Sequence, residues 1–225
     1  MKTIKYVLKR PEMPLALSLC FGLALLLFRI LLTHSLFYVF LGWNLFLAGI
    51  PYLITRWIQG RNAGQNSHIR FYMAFSAWLL FLPNSPYIIT DLVHLHNESS
   101  SLVWYDLFLV FVFAVNGLIL GLLSMLDMHR FLVRRYSTKM AHYLMFFVCL
   151  LSGYGIYLGR FLRFNSWDLF TRPLRLLREM VQTLPDPKVW LMTFAFGGFL
   201  WILFLVVQMR LYAVAATPRN KKAAP

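Results

Sequence analysis

Residues 104–126 read WYDLFLVFVFAVNGLILGLLSML, a stretch of 23 residues whose only charged side chain is Asp106. A helix of about 20 apolar residues spans the roughly 30 Å hydrocarbon core of a bilayer. Inside that core the backbone must satisfy its own hydrogen bonds, which favours a helix. The stretch therefore predicts a membrane-spanning helix, and it indicates the class of the protein.

The rest of the chain repeats this pattern. Hydrophobic residues make up 60% of the sequence and charged residues 13%, about half the charged share of a soluble domain. Six apolar stretches are long enough to span, and they cover residues 15–32, 36–58, 71–90, 104–126, 143–163 and 189–209. We predict an all-α polytopic membrane protein in which residues 1–225 form a single bundle of six transmembrane helices.

The distribution of Lys and Arg predicts the orientation of the bundle. The formal net charge is +14. Basic residues cluster before the first stretch, in the second and fourth connections, and after the last stretch. Because basic flanks stay in the cytoplasm, both termini are predicted to be cytoplasmic. The same location of the charge argues against a nucleic-acid partner, and membrane lipids are the partners we expect.

The fifth connection departs from this charge rule. It lies on the predicted outer side and carries Arg172, Arg175 and Arg178. Apolar residues recur at helical spacing through residues 169–184, which predicts a periplasmic amphipathic helix that lies in the membrane interface. An ordinary solvated loop helix is the alternative.

Two prolines interrupt the third apolar stretch. Pro83 and Pro86 remove backbone donors and kink or break a helix. At this depth, irregular backbone is tolerated only inside protein or along a wet cavity. Asn84 and Ser85 are therefore predicted to bond the carbonyl groups that the break leaves free.

Polar side chains collect where the apolar stretches reach the predicted outer leaflet. Arg160 and Arg163 lie one helical turn apart, and so do Asp91 and His94. Ionisable residues in lipid are expensive and often functional. The structural alternative is that Arg29 or Arg160 pairs with Asp91 or Asp106 to tie helices together. A mixed interpretation keeps some pairs structural and leaves one exposed arginine to bind an anion.

We predict that this cluster binds an anionic lipid headgroup or a lipid-linked intermediate. The predicted ligand-binding residues are Asn44, Asn84, Arg160, Arg163, Asn165 and Asp168. If transferase or hydrolase chemistry follows, Asp91 or His94 would be the general base and Asp106 its partner. The alternatives are a transporter or flippase that uses the proline break as a hinge, and a non-catalytic assembly or accessory protein. The sequence does not decide whether the protein is an enzyme.

Metal and cofactor motifs give weaker signals. Asp91, His94 and His96, with Glu98 nearby, offer metal-ligand chemistry without a recognised spacing. No nucleotide-binding glycine loop, His-Glu-x-x-His pattern or nucleophile elbow occurs. We therefore predict neither a metal nor a cofactor.

Small and polar residues inside the fourth and fifth helices predict packing. Gly117-x-x-x-Gly121 and Gly155-x-x-x-Gly159 are expected to join these two helices, or else to form a dimer face. Asn116 is expected to donate a hydrogen bond between helices. Asp127 and His129, at the cytoplasmic end, are interpreted as a solvated boundary. The oligomeric state is not predicted.

Four stretches resemble a family of bacterial membrane proteins known as domain of unknown function 1361. They are WNLFLA at 43–48 with Pro51, FLPNSPYIITDLVHL at 81–95, WYDL at 104–107 and GIYLGRFLRFNSWD at 155–168. Family patterns often have Ala at Ser85 and Trp at Phe164, and neither change alters the polar groups. The resemblance implies a multi-pass protein of the bacterial inner membrane, and it implies no activity.

Overall fold

A computed structural model describes residues 12–60, 68–97 and 102–216. Helices and short connections, without a β-strand, make up this described part of the chain. The helices are α1 (Glu12–Thr33), α2 (Val39–Gly60), α3 (His68–Phe81), α4 (Asn84–Tyr87), a 3₁₀ segment (Ile88–Asn97), α5 (Val103–Arg135), α6 (Thr138–Phe161), α7 (Asp168–Thr171), α8 (Pro173–Thr183) and α9 (Pro187–Ala216).

Within the described residues, five helices are long and apolar enough to cross a membrane. They are α1, α2, α5, α6 and the Pro187–Leu211 part of α9. Their outer faces carry large apolar side chains such as Leu17, Leu31, Leu191 and Ile202, which are 60% to 69% exposed. Continuous apolar surfaces of this kind suit hydrocarbon rather than water. They agree with the prediction of an all-α membrane protein.

The predicted span at 71–90 is not one continuous helix. α3 has 14 residues, or about 21 Å, and it ends at Phe81. Because Pro83 and Pro86 lack an N–H, a regular helix cannot continue through them. The chain proceeds as α4 and then as the 3₁₀ segment, so the prediction of a break at the prolines is confirmed.

The broken segment, defined as α3, α4 and the 3₁₀ segment, runs antiparallel along α5. Three contacts set this register: Tyr72 with Tyr136, Trp78 with Ser124, and Ile88 with Gly117. The nineteen residue steps from Gly117 to Tyr136, which directly follows α5, correspond to about 28 Å at helical spacing. Despite its break, the broken segment therefore covers nearly the thickness of a bilayer core.

Glycines on α5 and α6 make room for the broken segment. A Cβ on Gly121 would lie 2.6 Å from Ser85 Cβ, and a Cβ on Gly155 would lie 2.6 Å from Pro83 Cγ. Gly159 lies against the ring of Tyr87 in the same way. The prediction that these glycine spacings join α5 to α6 is wrong. Gly117 and Gly121 face Ser85, whereas Gly155 faces Pro83 and Gly159 faces Tyr87.

The core lies in two layers. One surrounds Trp78, Met145 and Phe204, and the other surrounds Leu41 and Phe113. The predicted interhelical hydrogen bond from Asn116 is confirmed, because its Nδ2 donates to the Ser18 carbonyl of α1 over 3.2 Å.

The predicted helix at 169–184 forms as two pieces, α7 and α8. Arg172 separates them with φ −142° and ψ 50°, because the residue before a proline is disfavoured in the helical region. Pro173 then begins α8, where its missing N–H has no helical partner to lose.

Side chains divide α8 into three faces. Leu176 is buried against the bundle, and Met180 lies on the same face. Leu174, Leu177 and Val181 form an apolar face that is 55% to 82% exposed. The third face carries Arg175, Arg178 and Gln182, which are exposed.

Candidate functional site

A cavity of about 750 Å³ lies between α2, the broken segment, α6 and the chain that follows α6. Its polar lining consists of Asn44, Asn84, Tyr87, Tyr154, Arg160, Arg163, Asn165 and Ser166. Two arginines and no carboxylate are among the lining residues. The wall is therefore positively charged, and it offers amide and hydroxyl groups beside that charge.

Asp91 does not line the cavity, but it pairs with Arg160, which does. Asp91 is 1% exposed, and its Oδ1 lies 3.3 Å from Arg160 Nη1. Asn44 Nδ2 donates to Oδ2 over 2.9 Å. A buried carboxylate needs such partners, because an unpaired charge in an apolar interior is strongly unfavourable. Asp91 thus joins α2, the 3₁₀ segment and α6, while Arg160 also faces the cavity.

Arg163 also lines the cavity, but it differs from Arg160 in backbone conformation, exposure and partners. It follows the end of α6, where Phe164 N–H donates to the Leu158 carbonyl over 3.1 Å. Its φ is 57°, a left-handed conformation that is uncommon outside glycine. The residue is exposed, and among the described residues no carboxylate pairs with it. Its guanidinium is the lining cation without an acidic partner in the described part of the chain.

Side chains satisfy the carbonyl groups at the proline break. Asn84 Nδ2 donates to the Phe81 carbonyl over 2.9 Å and to Ser166 Oγ over 3.1 Å. Ser166 Oγ in turn donates to the Leu80 carbonyl over 3.1 Å. The prediction that Asn84 bonds a carbonyl group at the break is confirmed. The prediction for Ser85 is wrong, since its hydroxyl donates to the Ala48 carbonyl of α2 instead, over 3.2 Å.

Asn165 and Asp168 take different places. Asn165 lines the cavity. Asp168 is not among the lining residues; its carboxylate accepts from Asn165 N–H over 2.7 Å and from Thr171 Oγ1 over 3.1 Å. Asp168 therefore fixes the turn into α7, and through that turn it positions Asn165.

Asp106 lies in a second buried pair. Arg29 Nε and Nη2 donate to its two oxygens over 2.5 and 2.9 Å, and Asp106 is 0% exposed. The pair joins α1 to α5. Asp91 and Asp106, which were predicted to share a catalytic site, are thus held by two different arginines, and neither is among the residues that line the cavity. The side chain of His94 lies outside the described residues.

Metal-ligating side chains do not cluster in the part of the chain that the structure describes: it contains no group of three His, Cys, Asp or Glu residues that could hold an ion. The side chains of His96 and Glu98 also lie outside that part.

The interpretation of Asp127 and His129 as a solvated boundary is wrong. Asp127 is 7% exposed and bonds Arg130 over 2.9 Å. His129 is 3% exposed, and it contacts the ring of His142 and the amide of Gln208. A separate cavity of about 80 Å³ lies beside Asp127, and it shares no lining residue with the larger one.

Sequence reasoning missed several lining residues. Ser166 follows Asn165 directly, and its position in a polar run was the available signal. Tyr87 and Tyr154 gave no signal, because aromatic residues are common in apolar helices. Trp43 and Trp167 meet at a ring-centroid distance of 6.4 Å, a contact between residues 124 positions apart that spacing alone does not predict.

The family model described as Protein of unknown function (DUF1361) matches residues 43–203, and the chain belongs to this family. The matched region includes every residue that lines the cavity. No curated protein and no solved structure matches the chain.

Proposed function

We propose that the protein binds a phosphate-bearing anion, namely an anionic lipid headgroup or a lipid-linked intermediate, in the 750 Å³ cavity. The observation that carries the proposal is that Arg163, which has no acidic partner among the described residues, and Arg160 both line a cavity whose lining includes no carboxylate. Arginine binds phosphate through paired, charge-assisted hydrogen bonds. Asn165 and Asn84 supply amides beside the charge.

The arrangement supports the mixed interpretation of the polar cluster. Arg29 and Asp106 act structurally, and Asp91 positions Arg160. Arg163 then makes the first contact with the anion, and Arg160 the second. Any transferase or hydrolase chemistry would depend on His94, because hydrogen bonds to Asn44 and Arg160 already engage the Asp91 carboxylate.

The proposal includes six membrane crossings in a bacterial inner membrane, with both termini in the cytoplasm. The broken segment supplies the third crossing, which is supported by the roughly 28 Å over which it follows α5. The cavity would then open in the outer leaflet, and the distribution of Lys and Arg supports that orientation.

α8 would be the interfacial helix of this arrangement. Its buried face rests on the bundle, its exposed apolar face would enter the acyl boundary, and its arginine face would meet headgroups. It would lie beside the cavity, because Leu176 belongs to both α8 and the cavity lining.

Transport receives less support from the geometry. The two cavities share no lining residue, and Trp78, which is 0% exposed, bonds Ser124 in the packed layer of the inner half. An accessory role for the whole cluster accounts for the Arg29–Asp106 pair, but it does not explain Arg163, which has no acidic partner in the described part of the chain.

The test is a binding measurement in phosphatidylcholine nanodiscs with hexadecyl phosphate as the probe. Arg163→Ala and Arg160→Ala are each expected to weaken binding about tenfold or more, because a hydrogen bond to a charged group contributes roughly 1.5–3 kcal/mol. Arg210→Ala is the matched control, because Arg210 is exposed near the end of α9 and does not line the cavity. Unchanged binding in both lining variants would remove the proposal.

A further inference from the structure

We infer that the cavity takes one hydrocarbon chain of the ligand together with its phosphate, and that this chain lies in the cleft between α3 and α6. The inference rests on the proposed function and names the class of ligand more closely: a lipid phosphate whose chain enters the protein, as opposed to a free phosphate or a headgroup bound only at the surface.

The cavity changes from polar to apolar along its length. Arg160, Arg163 and Asn165 line the end where α6 stops. Leu151, nine residues before Arg160, lines the other end, about 13 Å further along the helix. Opposite it, α3 contributes Leu79 and Leu80. A ligand that fills the whole cavity therefore needs an anionic head and an apolar body.

The cleft exists because the broken segment holds α3 away from α6. Pro83 packs against Gly155 and Tyr87 against Gly159. On the α3 side of these contacts, the cavity separates the two helices and is lined from both sides. Leu151 lies in the middle of α6 and is 52% exposed, so this part of the cavity opens on the side of the bundle, where hydrocarbon would be.

The size of the cavity fits one chain. At roughly 30 Å³ for each water-sized group, a cavity of about 750 Å³ has room for a phosphate and one long chain. A second chain, where the ligand has one, would stay in the bilayer through the side opening.

The direction of the gradient also matches a lipid. In the proposed orientation the arginines lie at the outer surface and Leu151 lies toward the middle of the membrane. A lipid of the outer leaflet has its head and chain in this same order. It would enter from the side without turning over.

The experiment uses hexadecyl phosphate with a photoreactive diazirine at mid-chain, bound to the full-length protein in phosphatidylcholine nanodiscs. Moving a chain from lipid into an apolar protein cleft gains little free energy, because lipid tails are already apolar. The position of the cross-link is therefore the decisive readout, and affinity is not. We expect labelling at Leu79, Leu80, Leu151 and Tyr154, removed by excess unlabelled hexadecyl phosphate.

Leu151→Trp places a larger side chain at the cleft. By occupying part of the cleft, the tryptophan is expected to lower labelling of Leu79 and Leu80 by about fivefold or more, or about 1 kcal/mol, while Arg163-dependent binding persists. Leu191→Trp, on the exposed face of α9, is the matched control and should leave labelling unchanged.

Three outcomes would overturn the inference. Labelling confined to the outer faces of α1 and α9 would place the chain in bulk lipid. Unchanged cleft labelling in Leu151→Trp would mean that the cleft does not hold the chain. Competition by inorganic phosphate as strong as that by hexadecyl phosphate would identify a free-phosphate site. Each leaves phosphate binding by the arginines intact, whereas binding that is insensitive to Arg160→Ala and Arg163→Ala defeats the proposed function itself.

Discussion

At the scale of single residues, the backbone conformation at Arg163 favours glycine, whereas the proposed site uses the arginine side chain. A left-handed conformation is unfavourable by about 1 kcal/mol for residues other than glycine. An arginine at φ 57° is consistent with selection for its guanidinium rather than for the turn. Its position at the end of α6 aims an exposed cation at the cavity.

This conflict gives a prediction that separates stability from binding. Arg163→Gly relieves the backbone, whereas Arg163→Ala keeps the strain, so the glycine variant is expected to be more stable by about 1 kcal/mol. Both variants lose the guanidinium and should lose hexadecyl phosphate binding equally. Thermal unfolding in detergent and the nanodisc binding assay measure the two effects. Retained binding in Arg163→Gly would contradict the assigned role.

Single residues also show how much of the candidate site the sequence predicts. Asp91, Arg160 and Arg163 stand out in the sequence because charges are rare in apolar segments. The sequence does not show which charged residues pair, because Arg29 and Arg160 could each bond either Asp91 or Asp106. Asn44 bonds a residue 47 positions away, and that contact depends on how three helices pack. The sequence therefore predicts the members of the cluster, and the fold decides which of them stay accessible.

At the scale of elements, the Arg29–Asp106 pair ties α1 to α5. Arg29→Ala would leave Asp106 buried without a partner, which costs about 3–5 kcal/mol when a buried pair is broken. Replacing both residues with leucine removes both charges and should restore most of that stability. Thermal unfolding compares the single and double variants. The double variant should also bind hexadecyl phosphate normally, and a loss of binding there would place Asp106 in the functional site.

The contact of α6 with α9 supplies a second prediction for elements. A Cβ on Gly153 would lie 2.4 Å from the Thr193 carbonyl oxygen and 2.8 Å from the Gly197 nitrogen. Because these atoms are backbone, the helices must separate, and Gly153→Ala should destabilise the protein by about 1–3 kcal/mol. Gly198 has no atom within 4 Å of such a Cβ, so Gly198→Ala is the control and should not lower the unfolding temperature.

Element boundaries show where sequence reasoning succeeds and where it stops. Apolar length predicts the five long helices, and proline chemistry predicts the break after Phe81. Glycine spacing predicts that something approaches α5 and α6 closely, but it does not identify the neighbour. Pro83 and Tyr87 occupy those places, because a broken segment can fit where a regular helix would collide.

At the scale of the whole molecule, the number of crossings decides whether the cavity faces the outer leaflet. With six crossings, the connections at Ser35 and Thr171 lie outside and the connection at Ser137 lies inside. If the broken segment does not cross, Ser35 and Ser137 share one side and Thr171 moves to the other.

Each of the three residues is exposed, so single cysteines there report the arrangement once Cys20 and Cys149 are replaced by serine. A membrane-impermeant maleimide added to intact cells should label Ser35→Cys and Thr171→Cys, and should label Ser137→Cys only after the membrane is disrupted. Equal labelling of Ser35→Cys and Ser137→Cys in intact cells would contradict six crossings, and it would place the arginines of the cavity on the cytoplasmic side.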